Sequence, residues 1–365
     1  MANFDLTNLA VQMIAPSNKV ILDDAELPSV MVYIPKFTLN EVMNTANTSV
    51  HPAFKVNGTV IDGFYYSKYI NCVHDGMAYS LPAQDPKAVI NFDDSRARCE
   101  AKGNGWHLST IAEWAAIALW CKKNGFLPYG NNNYGKDSRE SGYRAVPSMA
   151  RDSSNKIQRT ATGTGPIEWY HDKTLGGIAD LNGNVNEWQG GIRFVWGELQ
   201  ILPDNDAADP DNPQNNTSTK WKAINAATGA LVAPESAITD SAVKSSGSTV
   251  KLDWVSSKWK YKTGIAYAHG YGDCAFADVT ADSSFGNATL LLLRSLALLP
   301  DDGAVAADYQ DDRFYFDNKQ SERCVFRGGG WFDGAGAGVF LLDGGGDRSA
   351  TGETVGFRSA YIPGI

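Results

Sequence analysis

"RGGGWFDGAGAGVFLLDGGGDRSATGETVGFRSA", residues 327–360, combines features that ordinary segments keep apart. A flexible linker would omit Trp331, Phe332, Phe340 and Leu341, and a core strand would omit the glycines. Its end is strand-like: Val355, Phe357, Ser359 and Tyr361 alternate, which suits a strand with one buried face. The stretch therefore reads as a display held on a scaffold that the remainder of the chain must supply.

That remainder has the composition of a globular protein. The 365 residues are 43% apolar and 20% charged, enough for a large core and outside the disordered range. A net charge of -9 argues against a general binder of nucleic acid or anionic membrane, since both need a basic footprint. The opening "MANFDLTNLAVQMIAPSNKV" lacks a basic region followed by an apolar run, so no signal peptide is visible. "ATLLLLRSLALLP" (288–300) is interrupted by Arg294 and too short to span a bilayer; it reads as a buried helix. The five cysteines, Cys72, Cys99, Cys121, Cys274 and Cys324, are scattered and form no CxxC, so they read as buried thiols.

Local signals then place elements along the chain. "SVMVYIPKFTL" (29–39) predicts a strand broken at Pro35, and "KVNGTVIDGFYYSKYI" (55–70) a hairpin turning at Asn57-Gly58. "NFDDSRARCEAKG" (91–103) predicts a short helix with acids first and a glycine stop. "TIAEWAAIALWCKKNG" (110–125) carries the strongest helix signals: a Thr110–Glu113 capping box, Lys122-Lys123 at the negative end, and Gly125 as cap. "IADLNGNVNEWQGG" (178–191) is turn-rich and precedes a strand in "IRFVWGELQIL" (192–202). Polar and Ser-rich stretches between 203 and 285 suggest an insertion decorating the main domain. The expected organisation is an N-terminal segment, 1–24, and one domain, 25–365, with that insertion and a variable region at about 327–360. No repeat of 20–50 residues is evident.

Taken in order, "SVMVYIPKF", "HPAF…VIDGFYYSKY", "GWHLSTIAEW", "ADLNGNVNEW", "FRGGGW" and "VGFRSAY" resemble the landmarks of the formylglycine-generating-enzyme branch of the C-type lectin fold. The resemblance covers most of 25–190 and 320–362. It implies an α+β fold: a twisted, mostly antiparallel sheet with two helices and long loops. The segment 327–360 further resembles the variable region of proteins diversified by retroelements in phages and bacteria, where adenine-directed mutagenesis rewrites chosen codons, often AAC.

On that resemblance the scaffold positions are Arg327, Gly328, Gly329, Trp331, Gly334, Gly338, Val339, Phe340, Leu342, Arg348, Ser349, Gly356, Phe357 and Arg358. The variable, ligand-binding positions are Gly330, Phe332, Asp333, Gly336, Leu341, Asp343, Gly344, Gly345, Gly346, Asp347, Ala350, Thr351, Gly352 and Thr354. All of these variable residues are types that AAC reaches through adenine changes; among unreachable types, only Trp331 and Glu353 occur in 330–354. The variable residues are expected to face solvent, where substitution costs stability little. Glycine is then one draw among many, and Phe332, with Leu341, is the expected anchor.

The resemblance implies a non-catalytic protein that recognises a protein or glycan receptor on a target cell surface. It would be a component of a virion tail, cytoplasmic before assembly, or a bacterial display protein. Neither nucleic-acid binding nor membrane insertion is expected; a homo-oligomer or a tail assembly is open. The alternatives are a formylglycine-generating-enzyme-like oxidase acting on a thiol, or a structural tail protein. The enzymes use paired cysteines within the region aligned with 331–358, and this chain has none there. Cys324 stands alone, and His51, His74, His107, His171 and His269 show no ligand spacing.

No cofactor is required on this reading. In "DLNGNVNE" the spacing of Asp180, Gly183, Val185 and Glu187 matches a calcium site of the enzyme family. Two carboxylates and two backbone carbonyls would supply hard oxygen ligands for structural Ca2+. Equally, Glu187 caps backbone amides and Asn182-Gly183 only turns; the sequence leaves both open. Trp114 and Trp188 lie in scaffold motifs and read as core residues rather than carbohydrate platforms.

Overall fold

A computed structural model describes residues 3–365. The fold is α+β, with a large, mostly antiparallel sheet and few helices. A smaller sheet of five strands runs, in spatial order, Asn18–Leu22, Pro28–Pro35, Gly63–Ser67, Ser359–Tyr361 and Trp106–Leu108. A sheet of twelve strands has as its centre Arg313–Asp317, Gly338–Gly344, Arg323–Gly328 and Asn186–Val195, in that order. Its parallel pairings are 313–317 with 338–344, 258–262 with 280–281, and 355–356 with 186–195. None of the described helices is long and apolar enough to cross a membrane.

The local signals act where they were read. Thr110 Oγ1 accepts from the Glu113 amide at 3.2 Å, and Glu113 Oε2 accepts from the Thr110 amide at 3.1 Å, closing the capping box of helix Ile111–Asn124. Gly125 ends that helix at φ 69°, a left-handed position that glycine takes without steric cost. Asn91 caps helix Phe92–Glu100 by accepting from the Asp94 amide. The Asn57-Gly58 turn joins Lys55–Val56 to Thr59–Val60, with positive φ at both residues.

Four expectations need correction. The two-helix count is too low: Asn3–Ile14 and Leu39–Val42 are also helical, and so is Asn287–Ser295, within the stretch 288–300 that was read as a helix. Helix 287–295 begins after Gly286, which offers no side-chain cap, so it lacks the signals that mark 111–124. "IRFVWGELQIL" is a hairpin rather than one strand: Trp196 and Gly197 turn at φ 50° and 75° between Asn186–Val195 and Glu198–Ile201. The N-terminal segment 1–24 is not separate from the domain, since Asn18–Leu22 pairs along its length with Pro28–Pro35; residues 1–2 of it lie outside the described residues. The stretch 203–285 is not an appended decoration either. Its strands Lys251–Val255 and Lys258–Lys262 continue the large sheet, and Tyr271–Ala275 forms that sheet's other end. Leu252, Trp259, Tyr261 and Phe276 join the main core beside Trp114 and Phe340. Short strands separated by polar turns look like an insertion in sequence, yet each buries one face.

Two core tryptophans fix the sheet that carries the C-terminal segment. Trp114, on the longest helix, donates from Nε1 to the Val339 carbonyl at 2.7 Å. Trp188 donates to the Ile90 carbonyl at 3.0 Å and packs on Phe326 with ring centroids 3.8 Å apart. Fully burying a side chain of this kind is worth roughly 1.5–3 kcal/mol, so both are framework residues, as their motifs suggested.

Candidate functional site

Two buried arginines bracket the segment 327–360. Arg327 donates to the carbonyls of Phe340 and Leu341, each at 3.2 Å, and to those of Leu296 and Ala297 at 3.3 and 2.8 Å. Burial lowers its pKa to about 9, opposed by Tyr261 and Asp312. Arg358 donates Nε to Glu187 Oε2 at 2.8 Å, and its two terminal nitrogens to the carbonyls of Ser67, Lys68, Ala179 and Asp180. Each guanidinium satisfies backbone acceptors from several elements at once, which is how a buried charge becomes tolerable.

Between them, Gly328 and Gly329 take φ 88° and 85°, where the pairing register breaks and the chain leaves the strand for the loop 329–337. The strand Gly338–Gly344 returns with Asp312 Oδ2 accepting the Phe340 amide at 2.7 Å. A Cβ on Gly338 would fall 2.0 Å from Asp312 Oδ1, so this glycine is obligatory.

The motif "DLNGNVNE" is a hydrogen-bond hub beneath that loop. Asn182 donates to Pro128 O and accepts from Asn132; Asn184 accepts from Asn131 and from the Thr160 amide; Gly183 donates its amide to Gly328 O. Asn132 O in turn accepts the Gly334 amide, and the Tyr134 amide donates to Trp331 O. Four residues of this motif carried the calcium expectation. Their two carboxylates have partners within the protein: Glu187 pairs with Arg358, and Asp180 Oδ2 accepts the Gly163 amide at 2.7 Å. Burial raises Glu187 to about 7 against the pull of Arg358. Among the described residues no group of three His, Cys, Asp or Glu side chains converges as for a metal. Of the residues expected to hold calcium, Asp180, Gly183, Val185 and Glu187, the last therefore already has a guanidinium on Oε2.

The proposed variable residues divide into three groups. Phe332, Asp347 and Thr351 are exposed, Phe332 by 54%. Asp333, Asp343, Gly345, Gly346, Ala350, Gly352 and Thr354 are half-buried. Gly330, Gly336, Leu341 and Gly344 are buried, which corrects the expectation that all of them face solvent. The central strand explains this: 338–344 has neighbours on both edges, and Leu341 covers the turn at Gly329, a Cβ there lying 3.2 Å from Leu341 Cδ1. Leu341 is therefore framework, and of the two expected anchors only Phe332 is exposed. The glycines 344–346 are not free draws either. Added Cβ atoms would lie 2.1 Å from the Phe316 ring, 2.7 Å from that of Tyr315 and 2.6 Å from that of Phe326, respectively. Here glycine lets the backbone lie flat on aromatic faces.

Phe332 stands edge-on to Trp331, with ring centroids 6.1 Å apart, and Trp331 is sealed against Ile70, Ala88 and Val185. Asp333 Oδ2 closes the turn by accepting the Gly330 amide at 2.7 Å. Asp343 accepts from the Gly345 amide; burial lifts its pKa to about 6, with Asp333 pushing the same way. Asp347 accepts from the amide and hydroxyl of Ser349, which lower its pKa.

The surface includes residues outside 327–360. Tyr315, next to Asp343 in the sheet, stacks in parallel on Tyr271 at 5.6 Å, and Tyr271 is 58% exposed. Arg313 pairs with Asp273 beside them. A signal existed: in "RFYFD" Phe314 and Phe316 alternate with Arg313 and Tyr315, so a buried phenylalanine face forces the other pair outward. Reading 203–285 as a separate insertion hid the contribution of Tyr271 and Asp273.

The remaining chemical candidates are poor nucleophiles. Cys324 is buried, and burial pushes its thiol well above the ordinary range. Cys72 and Cys274 are each raised to about 11 by burial.

No family model matches this chain, and neither does any curated protein. Among solved structures it is similar to PvdO from Pseudomonas aeruginosa, at 14% identity over 94% of this chain and 97% of that one, with a TM-score of 0.33. It is similar to Treponema denticola variable protein 1 at 12% identity over 96% of this chain and 100% of that one, with a TM-score of 0.34. It is also similar to the Major Tropism Determinant U1 variant at 12% identity and a TM-score of 0.30, covering 91% of this chain and 62% of that one. The functional reading rests on the site itself.

Proposed function

We propose that the chain is a non-catalytic ligand-binding protein whose C-terminal region displays replaceable side chains for recognition of a receptor, protein or glycan, on a target cell. The observation that carries this is Phe332, 54% exposed on a loop whose backbone is tied at Gly330 by Asp333, at Trp331 by the Tyr134 amide and at Gly334 by the Asn132 carbonyl. A large exposed aromatic on a rigid support, next to Asp333 and through it to Asp343, is the arrangement of a binding hot spot. Tyr271 and Tyr315 extend it, since tyrosine offers apolar area and a hydroxyl at little entropic cost. The sealed, high-pKa Cys324 disfavours the thiol-oxidase alternative. A virion tail component, assembled from cytoplasmic protein, suits this reading, as does a bacterial display protein.

Binding of the intact protein to arrayed bacterial surface proteins and glycans tests the proposal, with Phe332→Ala as comparator. A target bound by the parent and lost by more than roughly thirtyfold in the variant, at unchanged Tm, is expected of a hot spot worth over ~2 kcal/mol. Equal binding by both proteins would remove Phe332 from the site and the proposal with it.

A further inference from the structure

We propose a second site, for a small neutral molecule carrying an aromatic or branched apolar group and one hydrogen-bond acceptor, in the cavity between helix Ile111–Asn124 and strand Pro28–Pro35. None of its lining residues belongs to the recognition surface. The cavity measures about 200 Å³ and is walled by Val32, Ile34, Phe37, Ile117, Trp120 and His171. It exceeds the space that a single benzene-sized guest needs and falls below that of drug-sized ligands, which bounds the occupant to about one ring and a short substituent.

His171 gives the cavity its polarity. Its side chain is more than nine-tenths buried, and Nδ1 accepts the Ile178 amide at 2.8 Å. In the neutral ring the proton must then sit on Nε2, the tautomer fixed by the partner of the other nitrogen. Burial holds the ring's pKa down at about 4, so it is neutral at pH 7. Among the described residues Nε2 makes no hydrogen bond, and the Trp120 ring centroid lies 5.2 Å from that of the imidazole. Ser17, Tyr33 and Asp172 are the other polar members of a mostly apolar lining, and a donor facing that space favours an acceptor such as a ketone or ester oxygen. Asp172, also in the lining, disfavours an anion such as a carboxylate or phosphate.

Fluorine NMR of the full chain with 4-fluoroacetophenone, and with 1-ethyl-4-fluorobenzene as a shape-matched probe lacking the acceptor, tests this. Saturable binding of both is expected, the ketone about three- to tenfold tighter, the factor set by one net hydrogen bond. Intermolecular NOEs should run to the methyls of Ile34 and Ile117, and Ile34→Trp should abolish binding of both probes. Should that variant fail to fold, the two-probe comparison and the NOEs on the parent still decide. Absence of saturable binding, equal affinity for the two probes, or NOEs only to other methyls would overturn the proposal.

Discussion

Arg358 and Glu187 form an ion pair 2.8 Å apart in which both side chains are sealed from solvent. It ties the end of the C-terminal segment to the strand Asn186–Val195, while Arg358 also holds four backbone carbonyls. Removing one partner leaves the other charge buried and alone, which costs about 3–5 kcal/mol. Arg358→Met is expected to lower stability by that amount in denaturant titration. A loss below about 1 kcal/mol would show that the display does not depend on this pin.

Leu341 and Phe332 were paired as anchors in the sequence reading, and the structure separates them. Leu341→Ala should cost about 2–5 kcal/mol, as for other core truncations. Phe332→Ala should change stability by less than about 0.5 kcal/mol, as for an exposed site. Thermal unfolding of the two variants distinguishes framework from display directly.

How far the sequence was legible follows from where its signals are local. The capping box at Thr110–Glu113 and the Asn57-Gly58 turn depend on neighbours in sequence, and the structure places them as read. The faces of 338–344 depend on strands 313–317 and 323–328 lying on either edge, and nothing within the segment encodes that. The glycines 344–346 likewise owe their necessity to Phe316, Tyr315 and Phe326, two of them from another strand than the nearest in sequence. The same distance effect hid Tyr271 and the arginine partner of Glu187.

Gly330 and Thr354 share one space. A Cβ at 330 would lie 3.1 Å from Thr354 Cγ2, beside the side-chain amide of Asn186, whose Oδ1 lacks a partner among the described residues. Gly330→Val should destabilise, and combining it with Thr354→Gly should recover part of the loss. A double-mutant cycle is expected to give a coupling of about 0.5–3 kcal/mol, as for residues in contact. Strict additivity would mean that the two positions vary independently.

Asp343 provides a pH test. Burial raises its folded pKa to about 6, above the ordinary carboxylate value. A raised carboxylate contributes stability that is fully present below the unfolded pKa and is lost as pH rises through the folded one. Asp343→Asn keeps the acceptor for the Gly345 amide and removes the titration. The Tm of the variant should therefore gain on that of the parent as pH rises from about 4 to 7. A difference that stays constant across this window would contradict the burial of that carboxyl.

The most direct measurement of the central claim is a library randomised at the exposed residues Phe332, Asp347 and Thr351, displayed and selected on several bacterial surface targets, with melting curves for the members. Most members are expected to melt within a few degrees of the parent, and different targets should enrich different side chains at these three positions. Widespread unfolding, or selection indifferent to them, would contradict a rigid framework whose replaceable groups choose the partner.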